Sequence, residues 1–426
     1  MYILLGNVLI GQSGWINITQ SSTYPALMGV YAIDQNNIWV VGLEGTILHT
    51  TNSGTSWIDV VSPVTYDLYN VHFINADTGW IGGDNDSYTE VLRTTDAGSS
   101  WEIQSIDNSY GWGNYDMEFI NDTPGEPYRG FLTAGLSLVW RTDDYGVNWL
   151  PSNIGGCGAG NLESICFVDN DEGWFVGAPS AVTEVSIVHT TDGGDTYEIQ
   201  TNPTNPDIKL NGVCFANYQH GIAVGLNGTI LYTSDGGNDW EIRPYNNSRW
   251  QSVYLTESGK AWAVGQYGNI TFSTDWGYTW SAQLSSVSQE LWKVCFINDN
   301  EGWIVGGGIG LQGVILHTTT GGVTDIEEND ITGIKSYKLE QNYPNPFNPS
   351  TLISYQLPVG GDVTLKIYDL LGREVATLVN EEKPAGIYEV EFNSHSGEGR
   401  NLSSGIYFYQ LKADGFIQTK KMLLIK

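Results

Sequence analysis

The sequence predicts an all-β protein in which a seven-bladed β-propeller precedes a small β-sandwich. Three observations lead to this prediction: a short motif that recurs every 40 to 48 residues, a fixed order of strand patterns within each period, and a change of composition after residue 326. A regular period of this length is typical of a closed or stacked array of repeats and not of independent domains.

The recurring motif is Thr-Thr-Asp-x-Gly-x-x-Trp. Clear copies occupy residues 94–101, 233–240 and 273–280, and degraded copies end at Trp57, Trp149 and Tyr197. The terminal aromatic residues lie 44, 48, 48, 43 and 40 residues apart. The Asp and Ser/Thr side chains can hydrogen-bond a tight turn, and the Gly supplies a positive φ. We therefore expect a structural role, not a catalytic one, for the motif residues Asp96, Asp144, Asp192, Asp235 and Asp275.

Each period contains four strand patterns. An apolar strand ending near Phe comes first, as in residues 71–73, and a Gly-Trp strand follows, as in residues 79–82. A third strand, such as residues 46–50, leads into the motif, and a fourth strand starts at the motif's Trp. Alternating apolar and polar residues with many β-branched side chains indicate strands. Four strands per period with a repeated Trp are typical of a propeller blade.

The two ends of the repeat region predict how the ring closes. Six motifs are complete, and a seventh starts at Thr318 but has no Trp. Residues 13–18 resemble the missing end of a motif followed by a fourth strand, with no blade before it. We expect this N-terminal strand to pair with residues 314–317 and complete the seventh blade, because closure removes the free sheet edges.

The predicted organisation has four parts. Residues 1–11 resemble the apolar part of a secretory signal peptide without its basic start, although a first propeller strand is the alternative. The propeller is expected over residues 12–325, a linker over 326–338 and a sandwich domain over 339–426. No segment is long and apolar enough to predict a transmembrane helix.

The last part of the chain contains several short motifs. They are Asn-Pro-Phe-Asn-Pro at 345–349, Tyr-Asp-x-x-Gly-Arg at 368–373, Gly-Ile-Tyr at 405–407 and a basic terminus. With them the segment resembles the C-terminal sorting domain of the type IX secretion system, found in Bacteroidetes and their relatives. The resemblance implies the type IX machinery as a partner, passage through the periplasm and outer membrane, and a secreted or cell-surface protein from which this domain is commonly removed. An ordinary adhesive sandwich is the alternative.

Two further resemblances concern the propeller. The motif resembles the Asp-box, or BNR, repeat. The Gly-Trp-x-Val-Gly strand followed by Gly-x-Ile-Leu-x-Thr-x-Asp-Gly-Gly-x-x-Trp makes residues 15–325 similar to the photosystem II assembly and stability factor propellers. That likeness implies a propeller fold and a tendency to bind proteins. The basic binding patch of that family is not evident in this acidic chain, so we expect no photosynthetic role.

The charge of the chain lies in the propeller. The net charge is −30, and residues from 333 onward carry ten basic and ten acidic side chains, so the whole excess falls before them. Such a charge repels nucleic acids, and no nucleic-acid partner is expected. Cys166, Cys214 and Cys295 hold the same position in three blades and are interpreted as small buried fillers. No Cys/His spacing predicts a metal site, and no cofactor is expected.

Enzymatic function is not favoured by the sequence. Asp-box propellers include sialidases, but the Phe/Tyr-Arg-Ile-Pro signature of those enzymes is absent. Xyloglucanases of the same group use two propellers, and this chain has one. We therefore predict a secreted or surface-displayed binding propeller without catalytic residues. The alternative is an extracellular carbohydrate-active enzyme related to the glycoside hydrolases, in which two carboxylates act on the glycosidic bond.

The loops opposite the motif turns are the expected binding surface, because loops on a rigid scaffold often carry function. Aromatic side chains there could stack on sugar rings or grip a peptide. The alternative is that they pack against the rim of the channel. The candidate ligand-binding residues are Tyr66, Tyr69, Tyr110, Trp112, Tyr115 and Trp250.

Overall fold

The computed structural model describes thirteen stretches of the chain. They are residues 14–85, 89–106, 114–120, 128–135, 138–153, 160–179, 186–204, 208–243, 245–308, 312–323, 336–342, 344–394 and 402–425. The predicted signal segment 1–11, most of the predicted linker, and the candidates Tyr110 and Trp112 lie outside these residues. Tyr115 lies in a described strand, but its side chain is not described.

Twenty-eight strands build the propeller. The first, β1 (Gly14–Asn17), belongs to the last blade. Blade 1 contains β2 (Leu27–Ala32), β3 (Ile38–Gly42), β4 (Ile47–Thr50) and β5 (Ile58–Asp59). Blade 2 contains β6 (Asp67–Phe73), β7 (Gly79–Asp84), β8 (Thr89–Thr94) and β9 (Glu102–Ile106). Blade 3 contains β10 (Asn114–Ile120), β11 (Arg129–Ala134), β12 (Leu138–Thr142) and β13 (Leu150–Asn153).

The remaining blades follow the same order. Blade 4 contains β14 (Leu162–Phe167), β15 (Gly173–Gly177), β16 (Ile187–Thr190) and β17 (Glu198–Ile199). Blade 5 contains β18 (Leu210–Phe215), β19 (Gly221–Gly225), β20 (Ile230–Thr233) and β21 (Glu241–Ile242). Blade 6 contains β22 (Trp250–Leu255), β23 (Ala261–Gly265), β24 (Ile270–Ser273) and β25 (Ser281–Gln283). Blade 7 contains β26 (Leu291–Phe296), β27 (Gly302–Gly306), β28 (Val314–Gly322) and β1. Blades 1 and 6 also have single 3-10 turns, Leu43–Gly45 and Gln266–Gly268.

The N-terminal strand closes the ring as the sequence predicts. The seventh sheet has the strand order β1-β28-β27-β26, and all of its pairs are antiparallel. Ile16 pairs with His317 and Asn17 pairs with Leu316. The seventh blade is therefore assembled from both ends of the propeller, and the predicted all-β, seven-bladed architecture is confirmed.

Trp15 supplies the aromatic residue that the seventh motif lacks. Its indole is 1% exposed and its Nε1 donates to Gln283 Oε1 at 2.9 Å. In blade 5 the motif residue Trp240 makes the same bond to Gln200 Oε1 at 3.1 Å. The N-terminal strand thus restores both the sheet edge and the packing of a complete blade.

In the described residues, aromatic stacks join five of the blades to the next blade. In blades 1, 2, 4 and 6 the Trp of the second strand lies flat on the Phe that ends the first strand of the following blade, and Phe131 takes the place of this Trp in blade 3. Ring centroids are 3.7 Å apart for Trp80 and Phe119, and 3.6 Å apart for Trp174 and Phe215. The motif Trp packs edge-on against the same Phe, as Trp149 does against Phe119 at 5.7 Å. Stacked and edge-on contacts of this kind add to the free energy gained by burying the rings.

The motif turns are held by their Asp side chains. Asp96 Oδ1 accepts hydrogen bonds from Thr94 Oγ1 and Ser100 N, each at 2.9 Å. Bonds from Ser100 and Thr94 hold the pKa of Asp96 below its usual range. Gly98 follows with a φ of +74°, and a Cβ there would lie 2.3 Å from Trp39. The remaining motif carboxylates accept the equivalent bonds: Asp144, Asp192, Asp235 and Asp275.

Blade 1 shows that this turn does not need a charge. Asn52 stands where the other motifs have Asp, and its Oδ1 accepts from Thr50 Oγ1 at 2.8 Å and Ser56 N at 2.9 Å. An uncharged amide therefore closes the same turn. The turn therefore needs a hydrogen-bond acceptor at this position and does not need a charge.

The C-terminal domain is a sandwich of two antiparallel sheets. Its strands are β29 (Lys338–Leu339), β30 (Ser350–Leu357), β31 (Gly361–Tyr368), β32 (Glu374–Lys383), β33 (Gly386–Asn393), β34 (Gly405–Ala413) and β35 (Phe416–Leu424). One sheet has the order β29-β30-β33 and the other β32-β31-β34-β35. Their inner faces share one apolar core that includes Ile353, Ile367 and Leu411. In the part of the chain that the structure describes, no helix has the length and hydropathy needed to cross a bilayer.

We predict that Trp15→Ala opens the ring. Removing this buried indole should cost about 3–5 kcal/mol of unfolding free energy, as for other buried aromatic residues. Deleting residues 1–20 should have a larger effect, because the freed edge of β28 can pair with other chains. Thermal unfolding and light scattering would measure both changes. Ile16→Ser is the control, since Ile16 is 63% exposed. A truncated protein that stays monomeric with an unchanged melting transition would contradict the closure.

Candidate binding site at the channel mouth

The first strands of the seven blades line a central channel with a volume of about 420 Å³. Each of these strands has a β-bulge near its start, where the pairing with the second strand shifts by one residue. A bulge re-aims the side chain of the extra residue. These bulge positions define the channel mouth. The described side chains that line it are Met28, Tyr69, Glu163, Asn211, Gln251 and Trp292, and Tyr115 holds the same backbone position in blade 3.

The predicted site residues occupy different places. Tyr69 is a bulge residue and lines the channel. Tyr115 holds the bulge position of blade 3. Tyr66 lies just before the first strand of blade 2, where its hydroxyl donates to Glu90 Oε2 at 2.6 Å. Tyr69 and Tyr115 therefore occupy the same bulge position in two neighbouring blades. The sequence analysis did not identify this equivalence.

Trp250 does not belong to the mouth. It is 0% exposed and packs in a core with Ile222, Val224 and Ile230. It pairs with Gly265 in the position just before the bulge. The equivalent residue of blade 7 is Leu291, which is also buried. The bulge shifts the strand by one residue, and this shift turns Trp250 into the blade. The expectation that it contacts a ligand is corrected accordingly.

Trp292 is the aromatic residue that the sequence analysis missed. It is half-buried at the mouth, and its Nε1 donates to Gly307 O at 2.9 Å. A sequence signal for it exists: Trp292 lies four residues before Phe296, as Tyr69 does before Phe73. In the five blades that have a Phe at this end of the first strand, the same offset identifies the bulge residue.

Ion pairs hold the polar part of the mouth. Lys209 Nζ lies 2.8 Å from Glu163 Oε1. Arg249 contacts both oxygens of Glu290 through Nη2, at 2.7 and 2.8 Å. The Gln251 amide donates to Glu290 Oε1 at 2.5 Å. Bidentate pairs of this kind fix orientation as well as charge, so the mouth is preorganised.

A salt bridge crosses the channel beneath the mouth. Lys293 of blade 7 lies 2.9 Å from Asp116 Oδ1 of blade 3. Ser164 Oγ donates to the other carboxylate oxygen at 2.9 Å. Burial lowers the pKa of Lys293, but the charge and hydrogen bond of Asp116 outweigh it, so that pKa lies above its usual value. The bridge joins non-adjacent blades, and it narrows the channel just below the mouth.

A second layer of side chains bonds each blade to the next. Glu118 Oε2 accepts from Phe167 N at 2.9 Å, Cys166 Sγ from Phe215 N at 3.1 Å, and Cys214 Sγ from Leu255 N at 3.3 Å. The cysteines are free thiols, as expected, but they do more than fill space. Burial raises the pKa of Glu118 to about 8 and lowers that of His72 to about 4. Both groups are therefore uncharged at neutral pH.

The channel carboxylates are all engaged. Asp116 holds Lys293, Glu118 holds a backbone N–H of the next blade, and Glu163 holds Lys209. Within the described stretches, no three His, Cys, Asp or Glu side chains are grouped so that they could hold a metal ion. The mouth thus presents two aromatic side chains, amides and paired charges, which suit recognition of a ligand.

We predict that Glu118→Gln stabilises the protein as pH rises. The folded pKa of Glu118 is about 8, above the value of 4.5 for a free side chain. Between these values the folded state holds a proton that the unfolded state releases, so stability falls as pH increases through this window. Glutamine cannot ionise and can still accept from Phe167 N. The melting temperature of the variant should match that of the wild type near pH 5 and exceed it near pH 8. If the melting temperatures of the variant and the wild type change in the same way between pH 5 and pH 8, the prediction is contradicted.

Comparisons with known proteins agree with both parts of the structure. Residues 341–426 match the family model of the secretion system C-terminal sorting domain. The photosystem II assembly lipoprotein Ycf48 of Picosynechococcus is 25% identical over 336 residues, which cover 73% of this chain and 89% of the relative.

Two solved structures share the fold of the propeller. Ycf48 bound to D1 peptide superposes with a TM-score of 0.58 at 21% identity, covering 74% of this chain and all of that one. The WD40 propeller domain of Doa1 has a TM-score of 0.56 at 11% identity, covering 72% of this chain and 97% of that one. The chain therefore joins a β-propeller similar to the Ycf48 photosystem II assembly proteins to a secretion system C-terminal sorting domain, which marks it for type IX export to the cell surface or the extracellular space.

Proposed function

We propose that the propeller is a non-catalytic module that binds an extended protein segment at the channel mouth, outside the cell. The repeated bulge carries this proposal, because the described bulge side chains of six blades line the same opening. The Lys293–Asp116 bridge lies directly beneath, so a ligand would rest on the mouth and would not thread the channel.

The chemistry of the mouth suits a peptide. Tyr69 and Trp292 offer apolar ring surface, and aromatic residues dominate the binding energy of many protein interfaces. Asn211 and Gln251 bring side-chain amides that match peptide groups. A related propeller was solved with a D1 peptide bound, which supports a peptide as the ligand class. The net charge of −30 favours neutral or basic segments over acidic ones.

The alternative is an extracellular carbohydrate-active enzyme. Glycoside hydrolysis needs two carboxylates with separate roles on either side of the scissile bond. The three carboxylates that line the described channel, Asp116, Glu118 and Glu163, are instead tied to a lysine or to a backbone N–H. Their engagement supports binding over catalysis.

We predict that Trp292→Ala weakens peptide binding by roughly ten- to a hundredfold, the range of a central aromatic contact. The experiment screens the intact chain on arrays of synthetic peptides and of glycans, and then titrates the best peptide by calorimetry. Tyr69→Ala should act in the same direction. Tyr278→Ala is the matched control, because this 53% exposed aromatic residue lies on a motif turn, on the opposite face.

Three outcomes distinguish the functions. Peptide binding that the mouth variants lose and Tyr278→Ala keeps supports the proposal. Binding that survives both mouth variants, with unchanged melting temperatures, places the ligand elsewhere and overturns it. Hydrolysis of a polysaccharide that is lost in Asp116→Asn or Glu163→Gln, with an unchanged melting temperature, would establish the enzyme instead.

We infer that the turn after β31 contacts the export machinery. Leu370 and Leu371 are 65% and 77% exposed at its tip. Asp369 fixes the turn, since its Oδ1 accepts from Leu371 N and Arg373 N at 2.9 and 3.0 Å. A rigid turn that presents two exposed leucines is typical of an interaction surface.

We predict that Leu370→Ser combined with Leu371→Ser blocks export of the full chain from a type IX-competent host and leaves its melting temperature unchanged. Immunoblots of periplasm, cell surface and medium would locate the protein. Ile387→Ser, at another exposed apolar site of the same domain, is the control. Normal export of the double variant would rule out this surface.

A further inference from the structure

Among the described residues, the sorting domain and the propeller share a hydrogen-bonded contact between Gly360 and Asn269. Gly360 lies in the turn between β30 and β31 of the sandwich. Asn269 lies 91 residues earlier, between the 3-10 turn Gln266–Gly268 and β24 in blade 6. This turn connects the second and third strands of the blade, so it opens on the same face as the channel mouth.

One side chain binds both backbone groups of the contacting residue. Asn269 Oδ1 accepts from Gly360 N at 2.6 Å, and Asn269 Nδ2 donates to Gly360 O at 3.4 Å. The same Nδ2 also donates to Ser248 Oγ. Asn269 is 2% exposed and Val359, beside Gly360, is 8% exposed. Pairing of an amide with a peptide group in a buried position is a specific interaction, because either partner alone would lose its hydrogen bonds.

The contact requires glycine in the sorting domain. A Cβ on Gly360 would lie 2.9 Å from Asn269 Oδ1 and 2.9 Å from Lys383 O. The neighbouring Gly361 has no atom within 4 Å of its would-be Cβ. Asn269 of the propeller and Lys383 and Pro384 of the sandwich itself therefore all restrict the residue at 360, whereas 361 is unrestricted.

The backbone bond that closes this turn does not depend on the amide. The equivalent positions are Thr46 in blade 1 and Thr229 in blade 5. In all three blades the backbone oxygen of this residue accepts the same bond at 3.0 Å, from Gly42, Gly225 and Gly265 respectively. Threonine thus occupies this turn in blades 1 and 5, and asparagine stands in blade 6, where its side chain bonds to Gly360.

The contact borders the channel mouth. The turn before Asn269 bonds to the mouth arginine, through Gln266 N to Arg249 O at 3.0 Å. Arg249 in turn holds Glu290, which accepts from the mouth residue Gln251. Tyr267 lies in the same turn of blade 6. Burial raises its pKa, and the charges of Glu382 and Asp362 in the sorting domain raise it further. The sandwich therefore lies beside the rim between blades 6 and 7.

We propose that Asn269 is a docking site for the chain's own sorting domain. In the intact chain, docking covers the rim at blade 6. Separation or removal of the domain exposes an amide that can bind both backbone groups of an incoming peptide, next to Gln251. Binding of a peptide by the exposed amide rests on the proposed peptide-binding function. Docking of the sorting domain does not, because it needs no ligand.

Hydrogen–deuterium exchange on the intact chain tests the docking. Asn269→Thr places in blade 6 the residue that blades 1 and 5 have. It should speed exchange of the peptide covering residues 357–364 by roughly tenfold, which corresponds to about 1.4 kcal/mol of lost protection. Gly360→Ala should have the same effect from the other side of the contact. Gly361→Ala is the control and should exchange like the wild type. Small-angle scattering should show a larger radius of gyration for the first two variants only.

The outcomes are distinct. Faster exchange and expansion in Asn269→Thr and Gly360→Ala, with an unchanged propeller melting temperature, support docking. Equal exchange in all four proteins, or an extended wild-type chain in scattering, overturns it. Neither readout contains a ligand, so a failure of peptide binding at the mouth would leave the docking result intact, and a failure of docking would leave the peptide arrays interpretable.

Discussion

The stack of an aromatic ring from one blade on the Phe of the next is the interaction on which the structure depends. It recurs around the ring, from Trp80 on Phe119 to Trp262 on Phe296, with centroids 3.7 to 3.8 Å apart in these two pairs. The motif Gly exists to admit the same ring, since a Cβ at Gly98 would collide with Trp39. A blade therefore buries its aromatic face only when its neighbour is present. The stability of the propeller consequently depends on closure of the ring.

The same packing fixes the inner strands and hence the channel. In the five blades that have a Phe at or next to the end of the first strand, this ring packs against two other aromatic rings, and the residue four positions earlier is held at the bulge. Hydrogen bonds from Glu118, Cys166 and Cys214 to the following blade lock this arrangement from inside. The scaffold is thus rigid, while the seven mouth residues vary in chemistry from Met28 to Trp292. That combination suits a module whose ligand is set by side chains and not by the fold.

The two domains differ in their net charge and in the surfaces that they expose. The propeller carries the acidic excess, and a net charge of this size favours solubility of an exported protein. The sorting domain is neutral, and its exposed Leu370 and Leu371 form a surface distinct from the contact with Asn269. Docking at blade 6 would link export to function, because the same face serves first the tail and then a ligand.

The sequence by itself determined the architecture: the period predicts the blades, the split seventh motif predicts that residues 14–17 close the ring, and the tail motifs predict the sorting domain. These features are local patterns repeated along the chain, so they can be read without coordinates. Only the tertiary structure decided the site. A one-residue bulge buries Trp250 and exposes Trp292 at the mouth, and periodicity does not reveal such a shift. The Lys293–Asp116 bridge joins residues 177 apart, and the Asn269–Gly360 contact joins two domains. Pairings of this kind arise because the closed ring and the docked sandwich bring distant segments together, and no local pattern encodes them.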